Sequence, residues 1–375
     1  MSSGSEEASG APGGASRVAP PAAMPAAAYP DLGATVVLGG DVAGLAAELD
    51  DLYGSIYATL DYIAAYDRLE PAGAVTLEDP RHVLLFARRG DTLEVLTRRI
   101  AIDPRDARRA CRALFRALPD ARRIHLELPF APRELGLPTR SLYSADDMVV
   151  SLPTSLEEYQ DALGASTRRN LRTYENRVRR AFPDLATTIE PVGERADELF
   201  ELFLAWKRPR MAEKGELVYF DRLPDRAPPF VELLRRRGEV HLTSVAGRPM
   251  ALVFAFPVGR ASFLFQYAYD PELAYYHLGL LTQYWLVADA IARGLERVSL
   301  LWGTVHYKAR LGARPSPGTH VSVFPSQVAR LHSLDEAREV AARRLRGWAE
   351  PKYWRARHAA GRRLRSLRAR VGRSR

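Results

Sequence analysis

The stretch at residues 261–312 limits the possible folds most, because its local signals follow one another in a fixed order. An apolar, aromatic run there has the composition of a β-strand and stops at an Asp-Pro pair. A polar loop with one glycine leads into an apolar-periodic helix. The predicted order is strand, loop, helix, strand and helix, at 262–269, 270–279, 280–291, 297–301 and 305–311.

Three β-type runs come in rapid succession and lead into this stretch. They are separated by Gly247-Arg248 and Gly259-Arg260, which are turn signals of the kind that connect hairpins. The pattern predicts an antiparallel meander of strands at 240–246, 250–258 and 261–268.

The loop before the predicted helix contains a single glycine, Gly279. A helix N-terminus presents backbone N–H groups without partners and the positive end of the helix dipole, so it attracts phosphate. A glycine at such a place lets a ligand approach the backbone closely. One glycine also fits an ordinary turn, and the local pattern alone favours the turn.

The whole stretch resembles the GNAT-type acyltransferases, most closely the CelD/BcsL-like or BioF2-like subgroup, which is related to the FemAB peptidyltransferases. A looser resemblance extends over 146–325. Ordinary GNAT enzymes carry more glycine and basic residues in the loop, which leaves open whether CoA pyrophosphate or another acyl carrier binds there. The matching features are Tyr269-Asp270-Pro271, Gly279, Ala290…Arg293-Gly294 and Gly303…Tyr307-Lys308…Gly312.

The resemblance implies an α/β protein with the GNAT fold and with acetyl-CoA or another acyl-CoA as co-substrate. It implies that a splayed strand lies beside the thioester and that the loop at the helix start binds the carrier. The residues so implied are Gln266, Tyr267 and Ala268 on the strand and Leu278, Gly279 and Leu280 at the helix start. It further implies substrate contacts for Tyr269, Lys308 and Arg168.

Acyl transfer needs an acid for the leaving thiolate and a base for the acceptor. By resemblance Tyr307 is the acid, although an aromatic side chain that only packs fits the same position equally well. Candidate bases are Asp270, Glu272 and His306. His306 titrates near neutrality, whereas Asp270 precedes a proline and also fits the cap of a turn. The sequence favours none of the three.

Residues 31–145 repeat part of this order in a weaker form. Runs at 82–88 and 93–100 predict a hairpin, Asp103 is the N-cap of a helix at 104–118, and a strand follows at 124–128. As in FemAB-type tandems, this predicts a degenerate GNAT-like half with a structural role. The predicted units are a disordered segment 1–30, this half at 31–145, an acyltransferase domain at 146–330 with a last strand at 321–324, and a basic helical tail at 331–375.

The single cysteine, Cys111, lies on the apolar face of the 104–118 helix and is predicted to be core. One cysteine excludes an internal disulfide framework and fits a reducing compartment. The sequence has no apolar run long enough to span a bilayer and no secretory signal at its start. We therefore expect a cytoplasmic protein, and its Ala-, Arg- and Pro-rich composition fits a high-GC bacterium.

The net charge of +9 is concentrated in the tail, where residues 341–375 hold thirteen Lys and Arg and one acid, Glu350. The remaining residues are mildly acidic, so nucleic acid is not an expected partner of the folded body. A basic helix with Trp348 and Trp354 can lie on an anionic membrane, here the inner face of the cell membrane. A solvated extension fits the tail equally well.

The eight histidines are scattered, and no metal-binding or Walker A motif occurs, so we predict no metal. The expected function is transfer of an acyl group to an amino group of a small molecule or of a cell-envelope precursor. The link to cell-envelope or exopolysaccharide biosynthesis comes from the resemblance alone. Two alternatives are a FemAB-like enzyme that uses aminoacyl-tRNA and a degenerate, non-enzymatic adaptor with a basic tail.

Overall fold

Two mixed β-sheets, of eight and seven strands, form the framework of the protein. A computed structural model describes residues 26–39, 42–67, 70–144, 146–302 and 306–333. The predicted disordered segment up to residue 25, Gly303, Val305 and the basic tail from residue 334 lie outside the described residues.

The first sheet is built mainly from the N-terminal part of the chain. In spatial order it contains β1 (Ala26–Tyr29), β2 (Ala34–Leu38), β3 (Gly73–Glu78), β4 (Arg81–Arg89), β5 (Thr92–Val95), β6 (Arg123–Leu128), β15 (Thr319–Val323) and β7 (Thr139–Ser144). The second sheet contains β14 (Arg314–Ser316), β8 (Asp147–Ser151), β13 (Arg297–Trp302), β12 (Ala261–Tyr269), β11 (Arg248–Val258), β10 (Glu239–Val245) and β9 (Leu185–Pro191).

The helices connect these strands and cover the sheets. They are α1 (Ala46–Tyr53), α2 (Leu60–Tyr66), α3 (Pro104–Ala117), α4 (Leu156–Ala162), α5 (Ala165–Ala181), α6 (Ala196–Glu213), α7 (Tyr219–Arg222), α8 (Ala227–Arg237), α9 (Leu278–Ala292), α10 (His306–Arg310) and α11 (Gln327–His332). A 3₁₀ segment, Pro271–Tyr276, leads from β12 into α9.

Both sheets follow the same topology. A run of antiparallel strands ends in one parallel pair, β5 with β6 in the first sheet and β12 with β13 in the second. A parallel pair needs a crossover connection, which α3 and α9 supply. The predicted repetition of the strand and helix order is therefore confirmed, and so is the meander β10–β11–β12.

The two faces of the second sheet pack against different helices, because successive side chains of a strand point to opposite sides. Leu252, Phe254 and Phe256 of β11 belong to a core formed with α6 and α8. Ala251 and Val253 belong to the core on the other face, formed with α5 and α9.

Several local predictions are confirmed in the first half. Asp103 Oδ1 accepts a hydrogen bond from the backbone N–H of Asp106 at 2.8 Å and caps α3. Cys111 is buried in the core, where burial raises the pKa of its thiol to about 12. The strand predicted at 93–100 is too long: β5 ends at Val95, and Arg99 adopts a left-handed φ of 52° as the chain leaves the sheet.

The last strand predicted from the sequence, at 321–324, is present as β15, but in the other sheet. It was expected to close the second unit, but it pairs with β6 and β7 of the first sheet. The unit limits of 31–145 and 146–330 stay a prediction. Among the helices of the described residues, none is both long and apolar enough to cross a membrane.

Candidate active site

Strands β12 and β13 separate after a short parallel contact. They pair only from Ala261 to Phe263 on β12 and from Arg297 to Ser299 on β13. On its other edge β12 pairs with β11 up to Tyr269, but Phe265 is skipped in that register and forms a β-bulge. Beyond Phe263, one edge of β12 therefore has no strand partner in the described part of the chain, and its backbone groups face a gap.

Strand β13 is also distorted where it leaves β12. Its register with β8 shifts by one residue between Ser299 and Trp302, and Leu301 adopts a left-handed φ of 57°. The buried Lys308 of α10 holds this end in place, because its Nζ donates to the carbonyl oxygens of Leu301 at 3.1 Å and Trp302 at 2.6 Å. The ends of β12 and β13 are thus held apart.

The gap opens into a cleft of about 700 Å³ between the two halves of the protein. The second half supplies the strand ends, α6, α10 and the region around α7. The first half supplies aromatic and charged side chains to the lining, and its structural role stays a prediction. The lining residues used below are Tyr57, Arg98, Arg99, Glu127, Lys207, Arg210, Lys214, Gln266, Tyr267, Tyr307, Lys308 and His320.

Tyr307 stands at this gap. Its ring meets that of Tyr267 edge-on, with the ring centres 6.5 Å apart. Burial raises the pKa of Tyr307 above its usual value, and the neighbouring Tyr267 adds to the shift. A tyrosine hydroxyl carries its proton at neutral pH, as a proton donor to a leaving group must, and the raised pKa makes Tyr307 a weaker acid than a free tyrosine.

Two lysines in the cleft have unusually low pKa values. Burial lowers the pKa of Lys308 to about 8, against the attraction of Asp147. Burial, together with the charges of Arg210 and Lys214, lowers the pKa of Lys207 to about 8. Lys207 Nζ donates to the carbonyl oxygen of Tyr267 at 2.9 Å, so it contacts the unpaired part of β12.

The helix start at Gly279 is packed against tyrosine rings. A Cβ on this glycine would lie 2.7 Å from Cε1 of Tyr269 and 3.2 Å from Cε2 of Tyr267. The missing side chain therefore makes room for β12, not for a phosphate. The first N–H groups of α9, at Leu278 and Gly279, have no intrahelical acceptors and remain suited to an anion.

Other residues predicted for the site have structural contacts. Asp270 caps the segment Pro271–Tyr276 by accepting from the backbone N–H of Glu272 at 3.0 Å. Arg168 donates to the carbonyl oxygens at the end of α4, including that of Leu163 at 2.6 Å. The side chain of Leu278 is buried in the core. The remaining residues are Ala268, which is buried, Leu280, which packs on the α9 core, and His306, whose side chain lies outside what the structure describes.

The sequence did not indicate a buried charged cluster that joins the halves beside the cleft. Arg99 lies 3.2 Å from Glu127 in the first sheet and 3.5 Å from Asp147 in the second. His320 Nε2 lies 3.4 Å from Glu127. Burial raises the pKa of both carboxyl groups, against the attraction of Arg99. These residues come from distant strands, so no local motif could have revealed them.

A group of possible metal ligands lies away from the cleft. Glu239, His241 and Asp289 bring one ligand atom each within 4.8 Å of one another. Arg293 already bonds both carboxylates, at 2.7 Å to Glu239 and 3.2 Å to Asp289. The absence of a metal from the chemistry stays a prediction.

Comparison with known proteins agrees with this geometry. A family model described as acetyltransferase (GNAT) domain matches residues 165–309, which include β12, α9, β13 and most of α10. None of the curated proteins matches the sequence.

Solved structures share the fold at low sequence identity. FemX matches with a TM-score of 0.55 and 10% identity, over 75% of this chain and 96% of FemX. A conserved protein of unknown function from Bacteroides thetaiotaomicron VPI-5482 matches with a TM-score of 0.50 and 12% identity, over 76% of this chain and 98% of that one. The protein therefore has a two-sheet α/β fold of the GNAT type, and its residues 165–309 match the model of a GNAT acetyltransferase domain.

Proposed function

We propose that the protein transfers an acyl group, acetyl first among the candidates, from acyl-CoA to an amino group of an acceptor bound in the cleft. The observation that carries the proposal is the separation of β12 from β13 at a gap lined by Tyr307. A gap of this kind lets a thioester lie along one strand edge, with the acceptor approaching from the cleft.

The reaction needs one bond to form and one to break. The amine nitrogen attacks the thioester carbonyl carbon, the C–N bond forms, and the C–S bond breaks. The amine loses one proton and the leaving thiolate gains one. Backbone N–H groups on the free edge of β12, around Gln266 and Tyr267, stabilise the negative charge that develops on the carbonyl oxygen.

We assign the two proton transfers to opposite sides of the cleft. Tyr307 protonates the thiolate, because its hydroxyl carries a proton at neutral pH and the residue lies at the gap beside Tyr267. Glu127 accepts the proton of the amine, since it is the carboxylate that lines the cleft among the described residues and burial raises its pKa towards neutrality. His306 stays an alternative base on sequence grounds alone.

The donor's phosphates are assigned to the start of α9. The N–H groups of Leu278 and Gly279 suit them, and Arg177 is close by, where it donates to the carbonyl oxygen of Tyr275 at 3.1 Å. The acyl group then reaches the gap past Tyr267. The binding of CoA itself is part of the proposal.

The test is titration calorimetry with acetyl-CoA, CoA and longer acyl-CoAs, followed by thiol release in the presence of amines. Binding of acetyl-CoA and amine-dependent release of CoA support the proposal. A protein that binds none of these compounds contradicts it. Removal of 341–375 is expected to leave turnover unchanged, whereas an adaptor that works through the tail would lose its function.

A second candidate uses aminoacyl-tRNA instead of acyl-CoA, as a FemAB-like enzyme does. The packing of Tyr267 and Tyr269 against Gly279 favours it, because it removes the usual reason for a glycine at a phosphate site. Transfer that depends on aminoacyl-tRNA, with no binding of acetyl-CoA, would establish this candidate over the first.

The biological setting is proposed from the sequence resemblance. We infer a role in cell-envelope or exopolysaccharide biosynthesis, in the cytoplasm at the inner membrane face. Co-sedimentation of the full-length protein, but not of one lacking 341–375, with anionic vesicles would support the membrane contact.

A further inference from the structure

One side of α6 carries three positive charges into the cleft. Lys207, Arg210 and Lys214 are spaced i, i+3 and i+7, which places them on one helix face. All three line the cleft. We call these three residues the α6 cationic face.

The α6 cationic face has no ion-pair partner in the described part of the chain, in contrast to Arg98 and Arg99, which also line the cleft. Arg98 pairs with Asp67 at 2.6 Å, and Arg99 pairs with Glu127 and Asp147. Arg208, on the same helix but outside the cleft lining, pairs with Asp221 at 2.8 Å. No described acid lies within ion-pair distance of Arg210 or Lys214.

The face lies beside the proposed chemistry. Lys207 Nζ lies 4.3 Å from the ring centre of Tyr267, and the guanidinium of Arg210 lies 4.5 Å from that of Tyr269. Burial raises the pKa of Tyr307, whereas the positive charge of Arg210 lowers it. An anion held by Arg210 is therefore close to the gap where acyl transfer would occur.

We propose that the α6 cationic face binds a phosphate or carboxylate group of the acceptor, so that the acceptor is an anionic amine. The inference rests on the proposed acyl transfer for its meaning, but the anion site can be tested without turnover. Three clustered cations without acids repel one another, and an anion relieves that repulsion. Arginine and lysine both form charge-assisted hydrogen bonds to phosphate and carboxylate.

The geometry assigns the face to the acceptor and not to the donor. Helix α6 packs on one face of the second sheet, and α9 packs on the other. The donor's phosphates are assigned to the start of α9, and no described residue of α9 lines the cleft. The acceptor therefore approaches from the α6 side.

The binding test uses inorganic phosphate and acetate, each compared with chloride at equal ionic strength, and records the melting temperature of the full chain. We expect phosphate, acetate or both to raise it in the wild type, with the stronger anion identifying the acceptor's group. In Arg210→Gln and Lys214→Gln the apparent affinity falls about tenfold, as for the loss of one charge-assisted hydrogen bond. The matched control Arg180→Gln, on the exposed face of α5, keeps the full effect.

The proposal is overturned if neither anion stabilises the wild type or if Arg210→Gln and Arg180→Gln respond alike. Calorimetry with acetyl-CoA gives the second readout. Equal affinity in the wild type and Arg210→Gln supports an acceptor site, whereas weaker binding assigns the cations to the donor and overturns it.

Thiol release with phosphoethanolamine, β-alanine and ethylamine then compares matched acceptors, and a preference for ethylamine contradicts the inference. A protein that binds phosphate through Arg210 but never acetyl-CoA would refute the acyl-CoA reaction and leave the anion site standing.

Discussion

The ring of Tyr269 lies so close to Gly279 that a Cβ on the glycine would come within 2.7 Å of ring atom Cε1. This contact joins the last residue of β12 to the start of α9. It sets the distance between the strand proposed to hold the thioester and the helix proposed to hold the phosphates. Glycine is required here because the strand and the helix pack closely.

Replacement of Gly279 by alanine is expected to lower the free energy of unfolding by about 1–3 kcal/mol, because the added methyl group overpacks a contact between buried elements. Urea denaturation measures the change. The cost should be smaller when Tyr269 is replaced by leucine, since the smaller side chain gives the methyl group room. Gly44→Ala is the control, because a Cβ at Gly44 meets nothing within 4 Å. Additive effects of the Gly279 and Tyr269 changes would contradict the contact.

Replacement of Tyr307 by phenylalanine is expected to reduce kcat about 10²-fold or more with little change in acetyl-CoA affinity, because it removes only the proton donor. Steady-state kinetics and calorimetry measure the two quantities. Tyr275→Phe, an exposed tyrosine away from the cleft, should behave as the wild type. Unchanged kcat in Tyr307→Phe would leave Tyr307 as a packing residue.

Replacement of Glu127 by glutamine tests the base. Since burial raises the pKa of Glu127, the wild-type rate should fall as the pH drops through that raised pKa, where the carboxylate becomes protonated. In Glu127→Gln this acidic limb should disappear, and kcat/KM at neutral pH should fall about 10²-fold. Asp147→Asn is the matched control: it also loses an ion pair with Arg99, but Asp147 is not part of the cleft lining, so the limb should remain. An acidic limb that persists in Glu127→Gln excludes Glu127 as the base.

His320 is expected to make folding sensitive to mild acid. Burial and the charges of Arg98 and Arg99 lower its pKa from 6.5 to about 3. Between these values the unfolded chain binds more protons than the folded protein, so stability is full above about pH 6.5 and falls as the pH decreases. In His320→Asn the free energy of unfolding should fall less steeply with decreasing pH than in the wild type, by up to about 1.4 kcal/mol per pH unit. Urea denaturation from pH 5 to 7.5 measures the slope, and His332→Asn, on the exposed side of α11, should keep it.

The sequence predicts those elements whose structure depends on residues that are adjacent in the chain. The cap at Asp103, the apolar face around Cys111 and the hairpin turns at Gly247 and Gly259 all depend on a few adjacent residues. The same holds for the glycine-led start of α9. These elements were therefore predicted, with errors of a few residues at their ends.

The candidate site was harder to predict from the sequence, because segments that are distant in the chain form it. The bulge at Phe265 depends on the register with β11, which an apolar run does not reveal. Glu127 and His320 lie on strands β6 and β15, which are about 190 residues apart in the chain and adjacent in the sheet. The i, i+3, i+7 spacing of Lys207, Arg210 and Lys214 was visible, but only the cleft distinguishes it from a solvated helix face.

Strand β15 lies between β6 and β7, although the whole second sheet is formed in the chain between β7 and β15. The stretch that forms the second sheet is thus inserted between two strands of the first sheet. A fragment cut at residue 145 would expose the facing edges of β6 and β7 with nothing to join them. The first half therefore cannot be obtained as a faithful piece by truncation at residue 145, whereas the strands of the second sheet form one continuous stretch of the chain, from Asp147 to Ser316.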